Sequence, residues 1–285
     1  MNVAITGASG FLGRALSERL RAFSHSVTAI SLRTQPPPDA FAGCQAVVNL
    51  AGEPVAQRWT AAARERISNS RIQGTRSLVA ALRKHPPQVL VSASAVGYYG
   101  SRGDEILTED SAPAHDFLGQ LALGWEQEAH TAEQFGVRVV TPRIGVVLGR
   151  GGALSQMLLP FRLGVGGRLG TGKQWMSWIA VDDLVSLIEF AIEDAALSGP
   201  VNAVAPNPVT NAVFTRELAA ALRRPAVLPV PAFALKLLFG EMSQILLEGQ
   251  RAIPQAALRA GFRFRFAELG EALRAALAPN GSSKS

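Results

Sequence analysis

The chain has 285 residues, of which 48% are hydrophobic and 18% are charged, so it can form one large domain or a domain with a smaller lobe. Its net charge of +6 comes from basic residues that alternate with apolar and acidic neighbours, whereas nucleic-acid-binding proteins carry a basic face or stripe. We therefore interpret the charge as a solvated surface and predict no nucleic-acid partner.

The cysteine and histidine content argues against a metal centre. Cys44 is the only cysteine, which excludes an intramolecular disulfide and a cluster of thiolate metal ligands. The four histidines lack the spacing of metal ligands, so we predict no metal site. A strand pattern follows Met1 directly in place of a signal peptide, and the most apolar late segment, residues 230–239, is too short to span a bilayer. These features predict a cytoplasmic protein without a membrane partner.

Short apolar segments alternate with helical patterns over the first two-thirds of the chain. The segments are almost continuously apolar, as strands buried on both faces of a sheet are. The predicted strands cover residues 3–5, 26–32, 46–50, 89–92 and 137–141, and the predicted helices cover residues 11–22, 60–82 and 118–135. This alternation predicts an α/β, Rossmann-type fold with a doubly wound parallel sheet and right-handed crossovers.

The pattern changes after about Gly149. Residues 149–172 are rich in glycine and contain a predicted short helix over 157–163, and a strand-then-helix pattern over 178–191 and a strand over 201–205 follow. From Asn211 the chain is mostly helical, with breaks at prolines. We predict a Rossmann domain of residues 1–150 and 176–206, a smaller, mostly helical substrate-side lobe of residues 151–175 and 207–279, and a flexible tail of residues 280–285.

A glycine-rich turn joins the first predicted strand to the first predicted helix. Gly7 permits the tight turn, Gly10 lets the backbone approach a pyrophosphate, and Gly13 lets the helix pack closely on the sheet. The helix N-terminus offers unpaired N–H groups and a partial positive charge to the phosphates. The predicted dinucleotide-binding residues of this turn are Thr6, Gly7, Ser9, Gly10, Phe11, Leu12 and Gly13.

The end of the second strand distinguishes between the two nicotinamide dinucleotides. An NAD site places an acidic residue about twenty residues past the glycines to hold the ribose hydroxyls, but none occurs here before Asp39. Arg33 with Ser31 can instead bind a 2′-phosphate, although Arg33 is also compatible with an ordinary surface arginine. The sequence therefore favours NADP over NAD. The third strand ends in residues that let the adenosine portion pass closely: Leu50, Ala51 and Gly52.

Further motifs extend this pattern over nearly the whole chain. They are TGASGFLG at 6–13, VNLAGEP at 48–54, RWT at 58–60, SR at 70–71, SASAVGYYG at 92–100, PRIGVVLG at 142–149, QWMSWI at 174–179 and NAVAP at 202–206. Together they resemble an extended short-chain dehydrogenase/reductase, and more narrowly the sugar-nucleotide-epimerase-like branch that carries a characteristic C-terminal domain of unknown function.

The resemblance implies a set of catalytic residues that this chain matches only in part. A serine or threonine near the end of the fourth strand polarises the substrate oxygen in that superfamily, and Ser94 matches it. A Tyr-x-x-x-Lys pair on the next helix supplies the acid/base, but residues 117–122 contain neither tyrosine nor lysine. Tyr98 and Tyr99 are the only tyrosines, and each is either a substitute proton donor or a structural aromatic.

Several residues later in the chain are further candidates. Arg143 is expected beside the nicotinamide, where it either orients cofactor or substrate or pairs with a carboxylate. Asp182 and Asp183 start a helix, and we interpret them as N-terminal capping and dipole compensation. The candidates for lining a substrate pocket, with ordinary packing as the alternative for the two tryptophans, are Gln174, Trp175 and Trp178.

These observations predict an NADP(H)-dependent oxidoreductase or epimerase-like enzyme that acts on a small polar molecule such as a nucleotide sugar. The missing Tyr-x-x-x-Lys pair favours the alternative of a non-catalytic NADP(H)-binding regulatory or redox-sensing protein. Relatives implied by the resemblance often pair through helices that flank the sheet, so a homodimer is one alternative for the assembly.

Overall fold

A computed structural model describes residues 1–37, 39–226 and 228–278 of the chain. The strands within these residues are β1 (Asn2–Thr6), β2 (Ser26–Ile30), β3 (Ala46–Asn49), β4 (Val89–Ser92), β5 (Ser94–Ala95), β6 (Ile106–Leu107), β7 (Arg138–Ile144), β8 (Val146–Leu148), β9 (Trp175–Met176), β10 (Trp178–Ala180), β11 (Gly199–Ala203), β12 (Val209–Thr210) and β13 (Arg251–Ala252).

The α-helices of the same described residues are α1 (Phe11–Ala22), α2 (Ala61–Leu82), α3 (Phe117–His130), α4 (Gly152–Arg162), α5 (Val181–Glu193), α6 (Asn211–Leu222), α7 (Ala232–Phe239), α8 (Gln244–Leu247), α9 (Gln255–Arg259) and α10 (Leu269–Leu277). Short 3-10 helices cover Val96–Tyr99, Thr131–Phe135 and Gly240–Ser243.

The central sheet is parallel, with the strand order β11–β7–β4–β3–β1–β2, and β5 also pairs with β7. Helices cover both faces, which explains the apolar strands. Val3 and Ile5 belong to a core cluster shared with α1 and α5, whereas Ala4 packs in a cluster shared with α2. The predicted Rossmann-type fold with a helical C-terminal part is therefore confirmed.

The carboxyl ends of three strands are aligned at one edge of the sheet. The register pairs Thr6 of β1 with Asn49 of β3, and Asn49 with Ser92 of β4. The pairing of β4 with β7 ends at Val91, and pairing with β7 resumes at Ser94 of β5, which lies opposite Arg143. The register therefore fixes the position of Ser94 at the edge where a dinucleotide is expected.

Some predicted boundaries differ from the structure. The strand predicted over 26–32 ends at Ile30, and the strand predicted over 137–141 extends to Ile144. The helix predicted over 157–163 begins earlier, at Gly152. The glycines of this segment suggested a loop, but the alanine and leucine that follow Gly152 favour a helix. The predicted division into a domain and a lobe stays a prediction, and the predicted tail at 280–285 lies outside the described residues.

The C-terminal part has its own core and is joined to α5 by a buried carboxylate. Phe214 and Leu273 pack with Trp178 in a cluster formed by α4, α6 and α10. The two carboxylate oxygens of Asp183 accept hydrogen bonds from the backbone N–H groups of Arg265 at 2.8 Å and Phe266 at 2.9 Å. Ala180 is the N-cap residue of α5 and no side chain of the described residues caps it, so the interpretation of Asp183 as a helix cap is wrong, whereas its place in the first turn agrees with dipole compensation.

None of the helices in the described residues combines the length and the apolar composition needed to cross a bilayer.

Candidate functional site

The glycine turn after β1 lies directly against the end of β3. Gly7 has a φ of +71°, and a Cβ added there would lie 2.7 Å from the carbonyl oxygen of Leu50 and 2.9 Å from the amide nitrogen of Ala51. A Cβ at Gly13 would lie 2.3 Å from the carbonyl oxygen of Gly7. Side chains do not fit at such distances, so both positions require glycine. The structure thus brings the glycine turn and the end of β3 together.

The N-terminus of α1 is open at this turn. Gly10 is the N-cap residue, and within the described residues no side chain caps the helix and its first turn carries no acidic group. Ser9 and Gly10 are exposed. Because the first N–H groups of a helix lack partners inside the helix, they remain available to an anion. The turn therefore has the donors and the open space that the phosphates of a dinucleotide require.

Phe11 connects this turn to the glycine-rich segment before α4. A Cβ at Gly149 would lie 2.6 Å from Phe11 Cζ, and a Cβ at Gly151 would lie 2.5 Å from Phe11 Cδ2. The ring therefore rests on backbone that has no side chains. This contact gives a physical reason for the glycines at 149 and 151, which the sequence alone did not explain.

The two residues proposed to hold a 2′-phosphate lie together after β2. Ser31 and Arg33 are exposed, and the Ser31 hydroxyl accepts a hydrogen bond of 3.2 Å from the Arg33 backbone N–H. Asp39, the first acidic residue past this point, pairs with Lys84 at 2.8 Å and with His85 at 2.9 Å. Its carboxylate is therefore engaged at the end of α2.

Buried polar side chains connect the ends of the strands beneath this edge. The Thr6 hydroxyl donates to Asn49 Oδ1 at 2.6 Å, and Asn49 Nδ2 donates to Ser92 Oγ at 3.1 Å and to Thr75 Oγ1 at 3.0 Å. Trp125 Nε1 of α3 also donates to Thr75 Oγ1, at 2.9 Å. These bonds fix the positions of α2 and α3 relative to the strand ends.

Ser94 belongs to a buried cluster around an ion pair. Its hydroxyl donates to Glu126 Oε1 at 2.5 Å. Arg143 donates to the same carboxylate through Nε and Nη2, each at 2.9 Å, and through Nη1 to Tyr99 Oη at 2.9 Å. Arg143 is only 3% exposed. The structure shows the pairing of Arg143 with a carboxylate, and its role beside the cofactor stays a prediction.

The two tyrosines are held by the same cluster. Tyr99 donates to Asn202 Oδ1 at 2.6 Å, and burial raises its pKa to about 12. Burial also raises the pKa of Tyr98, whose ring centroid lies 3.5 Å from Arg143 Cζ. The hydroxyl of Tyr99 is thus occupied as both donor and acceptor, which favours the structural alternative over a role as proton donor.

A cavity of about 600 Å³ lies between the segment after Tyr99 and the segment at α8. Its lining carries charged and polar groups from the segment after Tyr99, from the N-terminus of α3 and from the C-terminal part: they include Arg102, His115, Asp116, Gln244 and Glu248. Burial and the nearby Asp116 raise the pKa of Glu248. This cavity is the candidate substrate pocket of the described residues.

The three residues expected to line a pocket are absent from the lining of this cavity. Trp178 is fully buried in the core of the C-terminal part and donates to the Asn207 carbonyl at 3.0 Å, so its prediction as a pocket residue is wrong. Gln174 donates to the carbonyls of Leu169 and Leu246, and Trp175 Nε1 donates to Asp104 Oδ1 at 2.7 Å. Gln174 and Trp175 therefore connect loops around the pocket.

Glu126 is the most informative residue that the sequence interpretation missed. It lies on α3 and faces the core with Ala122 and Ala129, spaced four and three residues away. An acidic residue at such a core-facing position is rare unless it is paired, and that was the available signal.

The fold also gathers three side chains that local spacing could not reveal. His25, Glu189 and Glu193 offer ligand atoms within 4.8 Å of one another, at the start of β2 and on α5. Arg19 pairs with Glu189 at 2.6 Å. The Arg19 guanidinium therefore already balances the charge of the Glu189 carboxylate. The predicted lack of a metal site stays a prediction.

Comparison with known proteins gives matches over nearly the whole chain. Residues 3–204 match the NAD dependent epimerase/dehydratase family, and residues 230–276 match a domain of unknown function (DUF1731). Epimerase family protein YfhF of Bacillus subtilis is 40% identical over 293 residues, which cover 96% of this chain and 97% of YfhF.

Solved structures agree with this similarity. The crystal structure of human epimerase family protein SDR39U1 (isoform 2) with NADPH has a TM-score of 0.89 and 38% identity, and the match covers 97% of this chain and 99% of the human one. The nucleoside-diphosphate sugar epimerase from Corynebacterium glutamicum has a TM-score of 0.82 and 36% identity, and the match covers 97% of this chain and 58% of the other.

Proposed function

Because this chain belongs to the NAD-dependent epimerase/dehydratase family, as its motifs predict, we propose that it is an NADP(H)-dependent oxidoreductase or epimerase-like enzyme. The observation that carries this proposal is Ser94, whose hydroxyl lies at the carboxyl edge of the sheet and donates to the Glu126 carboxylate. The glycine turn opens at the same edge. A polar substrate is expected, since the cavity whose lining includes Tyr99, a partner of Arg143, also carries charged groups. A nucleotide sugar is one candidate, given the Corynebacterium relative.

NADP(H) rather than NAD(H) is the cofactor that the residues favour. Arg33 and Ser31 lie exposed at the end of β2, where a 2′-phosphate would be bound. Asp39 is paired with Lys84 and His85. The 38% identical human relative has a crystal structure with NADPH, which supports the same preference here.

When bound, the nicotinamide supplies or accepts a hydride at its C4 atom. The residues of the chain handle the accompanying proton. Ser94 directs its own hydrogen to Glu126, so its oxygen lone pairs are free to accept a hydrogen bond from a substrate hydroxyl. As that hydroxyl is oxidised, its proton passes to Ser94 and the Ser94 proton passes to Glu126. In the reverse direction, the same two residues return a proton to the carbonyl oxygen.

The experiment uses NADPH deuterated at C4, incubated with the protein and a polar metabolite extract. Mass spectrometry then follows deuterium. We expect deuterium in one metabolite, and Ser94→Ala should lower the transfer rate by about 10²–10⁴-fold with NADPH binding retained. Ser186→Ala is the matched control, because among the described residues its hydroxyl donates to the Asp182 carbonyl of the same helix. Full transfer by Ser94→Ala would remove Ser94 from the mechanism.

A second candidate is a non-catalytic NADP(H)-binding protein. The occupied hydroxyl of Tyr99 and the absence of tyrosine and lysine from residues 117–122 favour it. A non-catalytic protein of this kind would bind NADPH and transfer no deuterium. Incubation with NADP⁺ in deuterated water separates it from an epimerase, because an epimerase would still exchange hydrogen into its substrate.

A further inference from the structure

Helix α7 is apolar along almost its whole length, yet most of its side chains are uncovered. Its sequence, AFALKLLF, has one charged residue, Lys236, and Leu235 is the residue of this helix that is buried. Phe233 is 74% exposed, Leu237 is 81% exposed and Leu238 is 68% exposed. Helices that are apolar on all sides are normally buried, so this exposure marks α7 as an interaction surface.

The end of α4 and the segment after it extend this apolar surface. The Val230 backbone N–H donates to the Arg168 carbonyl at 2.8 Å, and the Gly170 N–H donates to the Val230 carbonyl at 2.8 Å. The Ala232 Cβ at the start of α7 lies 3.7 Å from where a Cβ of Gly170 would be. Further exposed apolar side chains on these joined segments are those of Leu163, Val165 and Leu228. We call residues 159–170 and 228–239 together the α7 face.

The charged residues of the α7 face are all basic. They are Arg162, Arg168 and Lys236, and each is exposed. Arg58 adds a fourth at the end of α7, since its Nε lies 4.0 Å from where a Cβ of Gly240 would be. Among the described residues, no carboxylate oxygen lies within 4.0 Å of the side-chain nitrogens of these four residues. The apolar surface therefore has a positively charged rim.

The acidic residues that follow the α7 face along the chain are directed to other partners. Glu241 pairs with Arg64 of α2. Glu248 lines the cavity, and its pKa is raised by burial and by Asp116, against a smaller opposite effect of Lys236. The whole chain also carries a net charge of +6. The charge of the α7 face is thus complementary to an anionic partner.

Three kinds of partner make different demands on such a face. A second copy would place the same basic residues opposite one another, since a symmetric dimer pairs a patch with itself. A partner helix binds in a groove, whereas Phe233 and Leu237 protrude from one side of α7, four residues apart. An anionic bilayer accepts protruding apolar side chains and offers phosphates to the lysine and arginine side chains beside them. The observations therefore favour a bilayer surface.

The length of α7 agrees with a helix that lies in the plane of a membrane surface. Residues 230–239 are too short to span a bilayer, but a helix in the interface needs only an apolar side and basic neighbours. The sequence prediction of no membrane partner rested on that short length, and our proposal departs from it.

We propose that the α7 face binds the surface of an anionic lipid bilayer. Phe233, Leu237 and Leu238 enter the boundary between the headgroups and the acyl chains, and Lys236 with the neighbouring arginines binds the headgroup phosphates. The proposal goes beyond the proposed function and does not depend on it, because the α7 face contributes no residue to the lining of the cavity.

The test measures binding of the full chain to unilamellar vesicles by sedimentation. One set of vesicles contains equal amounts of phosphatidylcholine and phosphatidylglycerol, and the other contains phosphatidylcholine alone. One variant combines Phe233→Ser with Leu237→Ser, and a second is Lys236→Gln. The matched control is Phe23→Ser, which removes an exposed phenylalanine at the end of α1. Unfolding curves show that each variant is folded, and light scattering gives its oligomeric state.

We expect the unmodified protein to bind the anionic vesicles and not the neutral ones, and we expect added salt to weaken this binding. The double variant should bind about tenfold more weakly or worse, since it lacks two apolar side chains that the bilayer would bury. Lys236→Gln should weaken binding to a smaller extent, and Phe23→Ser should leave it unchanged. The proposal is overturned if the unmodified protein does not bind the anionic vesicles, or if the double variant binds them equally well.

A dimer that the double variant dissociates, without vesicle binding, would assign the α7 face to a second copy and overturn the proposal. If the double variant does not fold, Leu237→Trp decides. Tryptophan suits the membrane interface, so the added fluorescence should move to shorter wavelength with anionic vesicles, and an unchanged wavelength overturns the proposal. Because neither nucleotide nor substrate is present, a failure to detect hydride transfer does not affect this result.

Discussion

Arg143 forms two hydrogen bonds with Glu126 and one with Tyr99, and these contacts determine what each residue can do. Removing one partner of a buried ion pair leaves an unpaired charge and costs about 3–5 kcal/mol. A Glu126 substitution would therefore weaken the fold as well as remove the proposed proton acceptor. Ser94→Ala removes one hydroxyl and leaves the ion pair in place, which makes it the cleaner test of the proton path.

Arg33→Ala tests the preference for NADP at the residue scale. We expect the unmodified protein to bind NADPH more tightly than NADH, and Arg33→Ala to remove most of the difference. A bidentate phosphate contact contributes about 1.5–3 kcal/mol, which corresponds to roughly ten- to hundredfold in affinity. Calorimetric titration of both nucleotides measures this directly. Arg21→Ala, an exposed arginine in the last turn of α1, should leave both affinities unchanged. Equal affinities in the unmodified protein would remove the NADP preference.

Local spacing determined how many site residues could be predicted. Gly7, Gly10 and Gly13 follow one another within a single turn, so their order was readable from the sequence. Glu126 meets Ser94 across 32 residues and Arg143 across 17. Such partners are set by helix orientation and strand register, which composition and periodicity do not reveal. The same limit explains why the sequence left pocket lining and ordinary packing open for Trp178, which lies in a core.

At the scale of elements, the joint between β1 and α1 is the most tightly specified. A Cβ on residue 13 would lie only 2.3 Å from the Gly7 carbonyl oxygen. The first turn of α1 can therefore pack this closely on the glycine turn only with glycine at position 13. The two glycines therefore act together: one shapes the turn and the other lets the helix pack on it.

Gly13→Ala should destabilise this joint. The added Cβ would approach the Gly7 carbonyl oxygen to 2.3 Å, and overpacking of this kind costs about 1–3 kcal/mol. Chemical denaturation measures the loss, and NADPH affinity should fall with it because the turn must shift. Gly74→Ala is the control, since its Cβ would meet the nearest atom at 3.9 Å in the middle of α2. That change should be neutral or slightly stabilising. Equal effects of the two substitutions would contradict the role assigned to the turn.

Element type was easier to predict than element ends. Strands β1, β3 and β4 are apolar throughout because helices cover both faces of the sheet, and the pattern shows this directly. The ends depend on single contacts. α4 begins at Gly152, where Phe11 from a distant helix fills the space above glycine backbone. No local pattern contains that information.

At the scale of the whole molecule, the C-terminal part is held by contacts between residues far apart in the chain. Asp183 bonds two backbone amides at residues 265 and 266, and β13 pairs with β6, so that Arg251 lies opposite Ile106. The sequence predicted a helical lobe, but these pairings could not be predicted, since they depend on how the lobe lies against the sheet.

Asp183→Ala should loosen this attachment. It leaves two N–H groups without their acceptor, and a hydrogen bond to a charged group contributes about 1.5–3 kcal/mol. We expect a loss of stability of that size in chemical denaturation, together with faster hydrogen exchange at the amides of Arg265 and Phe266. Asp182→Ala is the control, because its side chain is 60% exposed and lies 3.8 Å from Arg265. It should change stability by less than about 0.5 kcal/mol. Unchanged exchange at both amides would contradict the attachment.

The bond between Asp183 and the segment at 265–266 also sets an order of events during synthesis. A growing chain folds from its N-terminus, and every strand of the central sheet is translated before residue 204. The glycine turn can therefore fold on the ribosome before the amides of Arg265 and Phe266, which bond Asp183, have been synthesised. The pairing of β6 with β13 waits in the same way, and with it the cavity that α8 helps to enclose. A nascent chain thus completes the glycine turn and the carboxyl edge of its sheet before the cavity at α8 is enclosed.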